Sequence, residues 1–332
     1  MDIYSATIAL NMNKGGETMD RTVFEQICKM SQKQIKKYVK RKLSETHKDI
    51  VSGDGYVFAQ GDFPVLLVAH MDTVHKALPN AFIHDKKRGT ISSPNGIGGD
   101  DRCGIYMILE VIKKINCSVL FTEDEETGCI GAHKFAGSSL VKQLAFNYII
   151  EFDRANANDA VFYDCDNPEF EEFITKEFYK TSYGSFSDIS VIAPVLGCAA
   201  VNLSCGYYNA HTKNEYVVLS EMENSIEAAL QILYRTSEDD AFEYIEAESY
   251  YSKYYSGYSN YSGYSRYNSG YNDYLGSTYA IRYRGKDNKI YWTYIYASCV
   301  AEAVGKFLML NETMMYKDIL QVTEDKEYDG YY

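Results

Sequence analysis

At 332 residues with a net charge of −13, from 46 acidic against 33 basic side chains, the chain can build a substantial core in one large domain or two modest ones. The acidic balance argues against nucleic acid or an anionic membrane surface as the main partner. Eight cysteines, at 28, 103, 117, 129, 165, 198, 205 and 299, show no Cys-x-x-Cys or paired spacing and read as small core residues in a reducing compartment; with no signal-like N-terminus and no apolar run of membrane-spanning length, the cytoplasm is the expected compartment.

Residues 1–20 carry little pattern. From Arg21 to Leu43, Val23, Ile27, Met30, Ile35 and Val39 recur at helical spacing among Lys, Gln and Arg, which predicts one amphipathic helix with a basic outer face. Ser52-Gly53-Asp54-Gly55 predicts a turn between short strands. The unbroken apolar run Val65 to Val68 predicts a strand buried on both faces of a mostly parallel sheet. His70 and Asp72 follow it on one side of the extended chain, at the edge where open α/β sheets place their ligands. A carboxylate there can accept the imidazole's second N–H and raise its basicity towards a metal. From this stretch alone a structural histidine is an equally good reading.

The stretch 96–112, GIGGDDRCGIYMILEVI, carries Asp100 and Asp101 through a glycine-rich turn into a helix faced by Ile105, Ile108, Leu109 and Ile112. The two acids can simply cap the helix and favour its dipole. A phosphate loop is excluded, since the turn lacks the P-loop lysine and two acids would repel an anion; a cation suits the spot. Next, CSVLFTEDEETGCIGA at 117–132 predicts a strand, a loop with four consecutive acids, and a helix from near Gly128. That charge cluster is costly unless a cation neutralises it, or unless the loop is simply solvated. An apolar strand, Phe146 to Ile150, leads to Asp153, and a further run, Cys198 to Leu203, precedes Tyr207, Tyr208 and His211.

A His, an Asp, a Glu, an Asp and a His thus fall just past strand ends. Two Zn²⁺ ions about 3.5–4 Å apart would need such a set, with positions left open for a shared water that loses a proton near neutral pH. A nearby carboxylate that is not a ligand would then relay protons.

In that order the motifs HMD, GGDDRCG, FTEDEETG, EFD and NAHT resemble the co-catalytic zinc exopeptidase superfamily, with the lidless aminopeptidases and the catalytic domain of peptidase T as the most similar branches. The resemblance covers roughly residues 60–235. It implies that His70 and Asp153 hold one metal, Glu126 and His211 the other, and that Asp100 bridges both beside a cis peptide to Asp101. Asp72 would orient His70, and Glu125 would act as general acid/base for a metal-bridging hydroxide. Many members insert a lid or dimerisation domain between ligands, but 30 positions separate His70 from Asp100 and 58 separate Asp153 from His211, too few for one. An oxyanion group must then come from elsewhere; Tyr207 and Tyr208 are candidates, packing tyrosines being the plainer reading. Asp188, after Ser187, either lines the substrate pocket or forms a helix N-cap pair. Glu215 is left as a surface or supporting residue.

Ser220 with Glu223 predicts a capping box opening a helix to about Arg235. From Glu248 to Tyr279 the composition turns to Tyr, Ser, Gly and Asn, with Tyr258, Tyr261, Tyr264 and Tyr267 in an imperfect repeat; with Leu275 as its one larger aliphatic residue, it reads as a linker or an aromatic interaction segment. Beyond it, two strand-like runs around 285–288, a helical period at Val300, Val304 and Phe307, and a strand from Ile319 predict a small ββαβ unit.

Together these features predict an α/β fold, with a mixed, mostly parallel central sheet flanked by helices. The expected layout is a catalytic domain at 1–240, a Tyr/Ser/Gly-rich linker at 241–279 and a small α+β unit at 280–332. The expected activity is that of a zinc-dependent exopeptidase with two Zn²⁺, although Co²⁺ and Mn²⁺ use the same ligand types. Its substrate is a peptide cleaved from the N-terminus; the rival within the superfamily is a carboxypeptidase, dipeptidase or N-deacylase acting on an N-acyl small molecule. A homo-oligomer is compatible with the sequence. From another class, the rival is a non-catalytic interaction protein working through the tyrosine segment.

Overall fold

The computed structural model describes residues 19–184, 186–237, 239–247, 277–286, 289–297, 303–304, 306–307 and 318–325. The N-terminal segment 1–18 and the tyrosine repeat lie outside the described residues.

Where one helix is expected, there are two, α1 (Arg21–Cys28) and α2 (Gln32–Leu43). Asp20 caps α1 by accepting from the amides of Thr22 and Val23. Ser31 and Gln34 form a reciprocal capping box that starts α2 afresh, and this breaks the helix although the apolar spacing runs across the gap.

Chain order then gives β1 (Asp49–Gly53), β2 (Tyr56–Gln60), β3 (Phe63–His70), β4 (Ile83–Asp85), β5 (Thr90–Ser92), α3 (Gly99–Val111), β6 (Cys117–Thr122), α4 (Ile130–Ala136), β7 (Tyr148–Arg154), β8 (Asp159–Val161), α5 (Pro168–Thr175), β9 (Lys180–Ser182), α6 (Asp188–Leu196), β10 (Ala200–Ser204), β11 (Tyr207–Tyr208), β12 (Tyr216–Val218) and α7 (Leu219–Arg235). The main sheet runs β1-β2-β6-β3-β7-β10-β8-β9. Its centre, β6-β3-β7-β10, is parallel, and antiparallel pairs flank it. The fold is therefore the expected mixed α/β sheet.

Strand β3 shows why its sequence is apolar up to His70. Val65, Leu67 and Ala69 enter a core shared with α1, α2, α3, α5 and α7, while Leu66 and Val68 enter one shared with α4 and α6. A strand covered on both faces has no solvent side to be polar. Val65 to Val68 are fully buried, each worth about 1.5–3 kcal/mol of transfer free energy before chain entropy is counted.

A second sheet, β11-β12-β5-β4, leads into α7. The expected capping box there is absent. Val218 stands at the N-cap and Ser220 lies inside the first turn, because the β12 strand runs directly into the helix; Glu223 instead accepts from the Met19 amide at 3.0 Å. The amide of Phe242 donates to Asn147, and that of Tyr244 to Gly197, so residues 241–247 pack with the large unit. At the other end β13 (Ser277–Arg284) already includes the last expected linker residues; it pairs with β14 (Ile290–Ala297) and β15 (Ile319–Asp325). Ala303 and Phe307 cover Tyr279, Ile281 and Ile295 of that three-stranded sheet. Among the described residues no helix is long and apolar enough to cross a membrane. The seven described cysteines are free and buried.

Candidate metal centre

Parallel strands align their carboxyl ends, and the side chains predicted to act converge there. His70 closes β3, Thr122 closes β6 beside it, and Asp153 stands near the end of β7. Asp100 arrives on the turn that opens α3, through a cis peptide to Asp101. Its carboxylate lies between two imidazoles: Oδ1 is 2.9 Å from His70 Nε2 and Oδ2 is 3.0 Å from His211 Nε2. His70 Nε2 is also 3.4 Å from Asp153 Oδ1, and His211 Nε2 is 3.1 Å from Glu126 Oε2. His211 itself has a left-handed backbone, φ 64°, which costs an ordinary side chain about 1–2 kcal/mol and turns its ring towards Asp100.

Asp72 does two things at once. Its Oδ1 lies 3.2 Å from His70 Nδ1, on the side that fixes the imidazole tautomer. It also accepts from the amides of Glu125 and Glu126, at 3.0 and 3.1 Å, and so caps the short turn Glu125–Thr127. The four acids at 123–126 then part company. Glu123 pairs with Lys36 of α2, and Asp124 accepts from Gln32 Nε2, so the basic face of α2 partly neutralises the loop. Glu125 and Glu126 turn to the cluster.

The electrostatics of the cluster are those of a site short of positive charge. Burial, and then Asp153, Asp188 and Glu126 outweighing His70, lifts the Glu125 carboxyl well above its usual range. Burial and Asp153 do the same to Asp101. Asp188, buried beneath the cluster, is raised to about 7 chiefly by desolvation. Burial alone would lower His70, but Asp153 and Asp72 hold it well above an ordinary imidazole. Hydrogen bonds that the His211 ring donates to Asp100 and Glu126 raise it to about 11. Arg102 is buried nearby, yet it points its guanidinium at the carbonyls of Met71, Asp72 and Met30.

The donors fit a divalent metal. Oε1 of Glu126 is buried without a hydrogen-bond partner, although such an atom ordinarily finds one. Tetrahedral zinc bonds of about 2.0–2.1 Å put neighbouring donor atoms roughly 3.3 Å apart, close to the 3.4 Å and 3.1 Å between the paired His and acid atoms. His70, Asp100 and Glu126 offer donor atoms within 4.8 Å of one another, as do His70, Asp101 and Asp153.

Residues 55–188 match the model of peptidase family M28. The matched span includes His70, Asp72, Asp100, Glu125, Glu126 and Asp153 and stops before His211. No curated protein matches the chain. Among solved structures, a tripeptidase of Staphylococcus aureus is similar with a TM-score of 0.55 at 15% identity, over 67% of this chain and 100% of its own. Aminopeptidase PepT of Bacillus cereus gives 0.51 at 15%, over 64% and 96%, and a TET aminopeptidase of a marine-sediment thaumarchaeon gives 0.53 at 13%, over 67% and 97%. At such identities these structures share the fold. With the family match, the resemblance to the co-catalytic zinc exopeptidases stands, and a metal-dependent peptidase is the activity it supports.

The tyrosines divide. Tyr207 is buried and its hydroxyl donates to the carbonyl of Asp153 at 3.1 Å. Tyr208 is not brought to the cluster: its hydroxyl donates to Glu221 and its ring stacks on Tyr216. Consecutive strand residues face opposite ways, so only one of the pair can point inward. Asp188 does not line an open pocket; it is fully buried and accepts from the Thr122 hydroxyl. Ser187 stands at the N-cap of α6, and its hydroxyl donates to Asp153 Oδ2 at 3.1 Å.

Two residues named only as neighbours of the candidate ligands also contribute. Asp101 accepts from the amides of His70 and Gly104, at 3.1 and 2.8 Å, and so ties the end of β3 to the start of α3. Glu215 has no exposed surface. The signal for Asp101 was its place in the double acid; for Glu215 only its nearness to His211 was visible.

Proposed function

We propose that the chain is a dizinc aminopeptidase that releases N-terminal residues from peptides. The observation that carries this reading is the placement of Asp100, one oxygen towards each imidazole. In it His70 and Asp153 would hold one ion and Glu126 and His211 the other, with Asp100 a ligand shared by both. When bound, the two ions polarise the scissile carbonyl and lower the pKa of the attacking water.

The remaining work belongs to the chain. Asp72 holds His70 in the tautomer that leaves Nε2 free for the metal and fixes the amides of Glu125 and Glu126. Glu125 takes the proton of the attacking water as the new C–O bond forms and delivers it to the amine as the C–N bond breaks. Its half-buried position and acidic neighbours raise its proton affinity, which suits a group that must hold that proton between the two steps. Asp153 is braced by Ser187 and Asn202, through its side chain and its amide respectively.

The acidic surroundings favour a substrate that brings a free ammonium. Aminoacyl amides are expected to exceed their N-acetylated counterparts in kcat/KM by at least about 100-fold, since a site that pairs a polar group rejects the analogue lacking it. A panel of both, with C-terminal dipeptide substrates alongside, decides the matter. Turnover confined to the N-acylated or C-terminal substrates would replace the aminopeptidase reading with that of an N-deacylase or carboxypeptidase.

A further inference from the structure

Three loops meet at one carboxylate that takes no part in the chemistry above. Glu215 is fully buried, and acids are seldom so without being paired. Its Oε2 accepts from the Gly98 amide at 2.8 Å and lies 2.7 Å from His75 Nε2, while Oε1 accepts from the Asp100 amide at 3.1 Å. Its own amide donates to the carbonyl of Thr212 at 3.1 Å, closing the turn that follows His211. One side chain therefore ties the loop leaving β3, the glycine turn carrying Asp100 and the turn carrying His211.

The glycines of that turn are shaped to the tie. A Cβ on Gly96, whose φ is +90°, would come within 2.1 Å of the His75 ring. One on Gly99 would meet Tyr207 Cβ at 2.8 Å and Glu215 Oε1 at 3.3 Å. The turn is rich in glycine because the backbone lies directly against the His75–Glu215 pair.

Resting on the dizinc reading, we infer that Glu215 is the positioning residue that holds Asp100 between the two ions and sets its distance from His211. Both carboxylate oxygens are in use, and both grip the backbone of the glycine turn that delivers Asp100. A glutamine of the same shape offers one acceptor oxygen and one NH₂, so at least one donor that now meets a carboxylate oxygen would face another N–H. His75 contributes the third contact and steadies the carboxylate.

The test is calorimetric titration of the metal-free full-length protein with Zn²⁺, paired with thermal melting before metal is added and with steady-state kinetics. Glu215→Gln is expected to weaken zinc binding about 10- to 100-fold and to lower kcat with KM little changed, while the metal-free protein still melts cooperatively. His75→Ala, which keeps the carboxylate and both amide contacts, is expected to show a smaller loss in the same direction, and it decides the matter if Glu215→Gln does not fold. Zinc affinity equal to wild type in the folded variants overturns the inference, and so does a drop in melting temperature with zinc affinity unchanged, which assigns Glu215 to the fold alone. Wild type that takes up no zinc overturns the dizinc reading itself, and this inference with it.

Discussion

Glu125→Gln is expected to lower kcat by about 10²- to 10⁴-fold, the usual contribution of a positioned acid/base group, with metal content unchanged. The substitution keeps the shape and removes only the ability to carry a proton. Glu125 contacts none of the imidazoles within hydrogen-bond distance; its amide is held by Asp72, and its Oε1 accepts from the Cys129 thiol at 3.5 Å. It is thus separable from the proposed ligand set, whereas its neighbour Glu126 lies 3.1 Å from His211 Nε2. Metal analysis beside a single-turnover assay checks both halves. A variant that loses metal along with activity would make Glu125 a ligand, and one with wild-type kcat would leave the chemistry without its proton carrier.

Asp100→Ala is expected to have the larger effect, a loss of activity of about 10³-fold or more, because in the proposed dizinc site it would remove a ligand from both ions and with it Lewis-acid stabilisation worth several kcal/mol. Metal content should fall from two equivalents to below one. The substitution also leaves His70 and His211 facing Asp153 and Glu126 without the central carboxylate that now lies within 3.0 Å of each ring. The chain itself should remain folded, since the Asp100 amide and the two contacts of Asp101 that anchor α3 are untouched. Circular dichroism with metal analysis distinguishes this outcome from unfolding. Retention of two equivalents would remove Asp100 from the bridge.

Much of this architecture was legible because strong patterns have local causes. Val65 to Val68 reads as a doubly covered strand since each neighbour along it faces a different core, and strand ends bring His70, Thr122 and Asp153 to one edge whatever else the chain does. What was illegible depended on tertiary approach. The apolar stripe of α1 continues into α2, so only the Ser31–Gln34 pair betrays the break. Ser220 and Glu223 carry the same signature without forming the box, because β12 runs straight into α7 and Glu223 reaches Met19. Glu215 sits in a polar stretch, NAHTKNEY, where an acid reads as exposed; it is buried because the His75 loop and the glycine turn close over it. Tyr207 and Tyr208 were indistinguishable until the direction of β11 set one inward and one outward.

Crystals of the zinc-loaded protein, measured at the zinc absorption edge, test most directly whether two ions sit on either side of Asp100. Two anomalous peaks about 3.5–4 Å apart are expected, one against His70 and Asp153, the other against Glu126 and His211, with Asp100 between them. A single peak, or peaks away from Asp100, would contradict the dizinc reading.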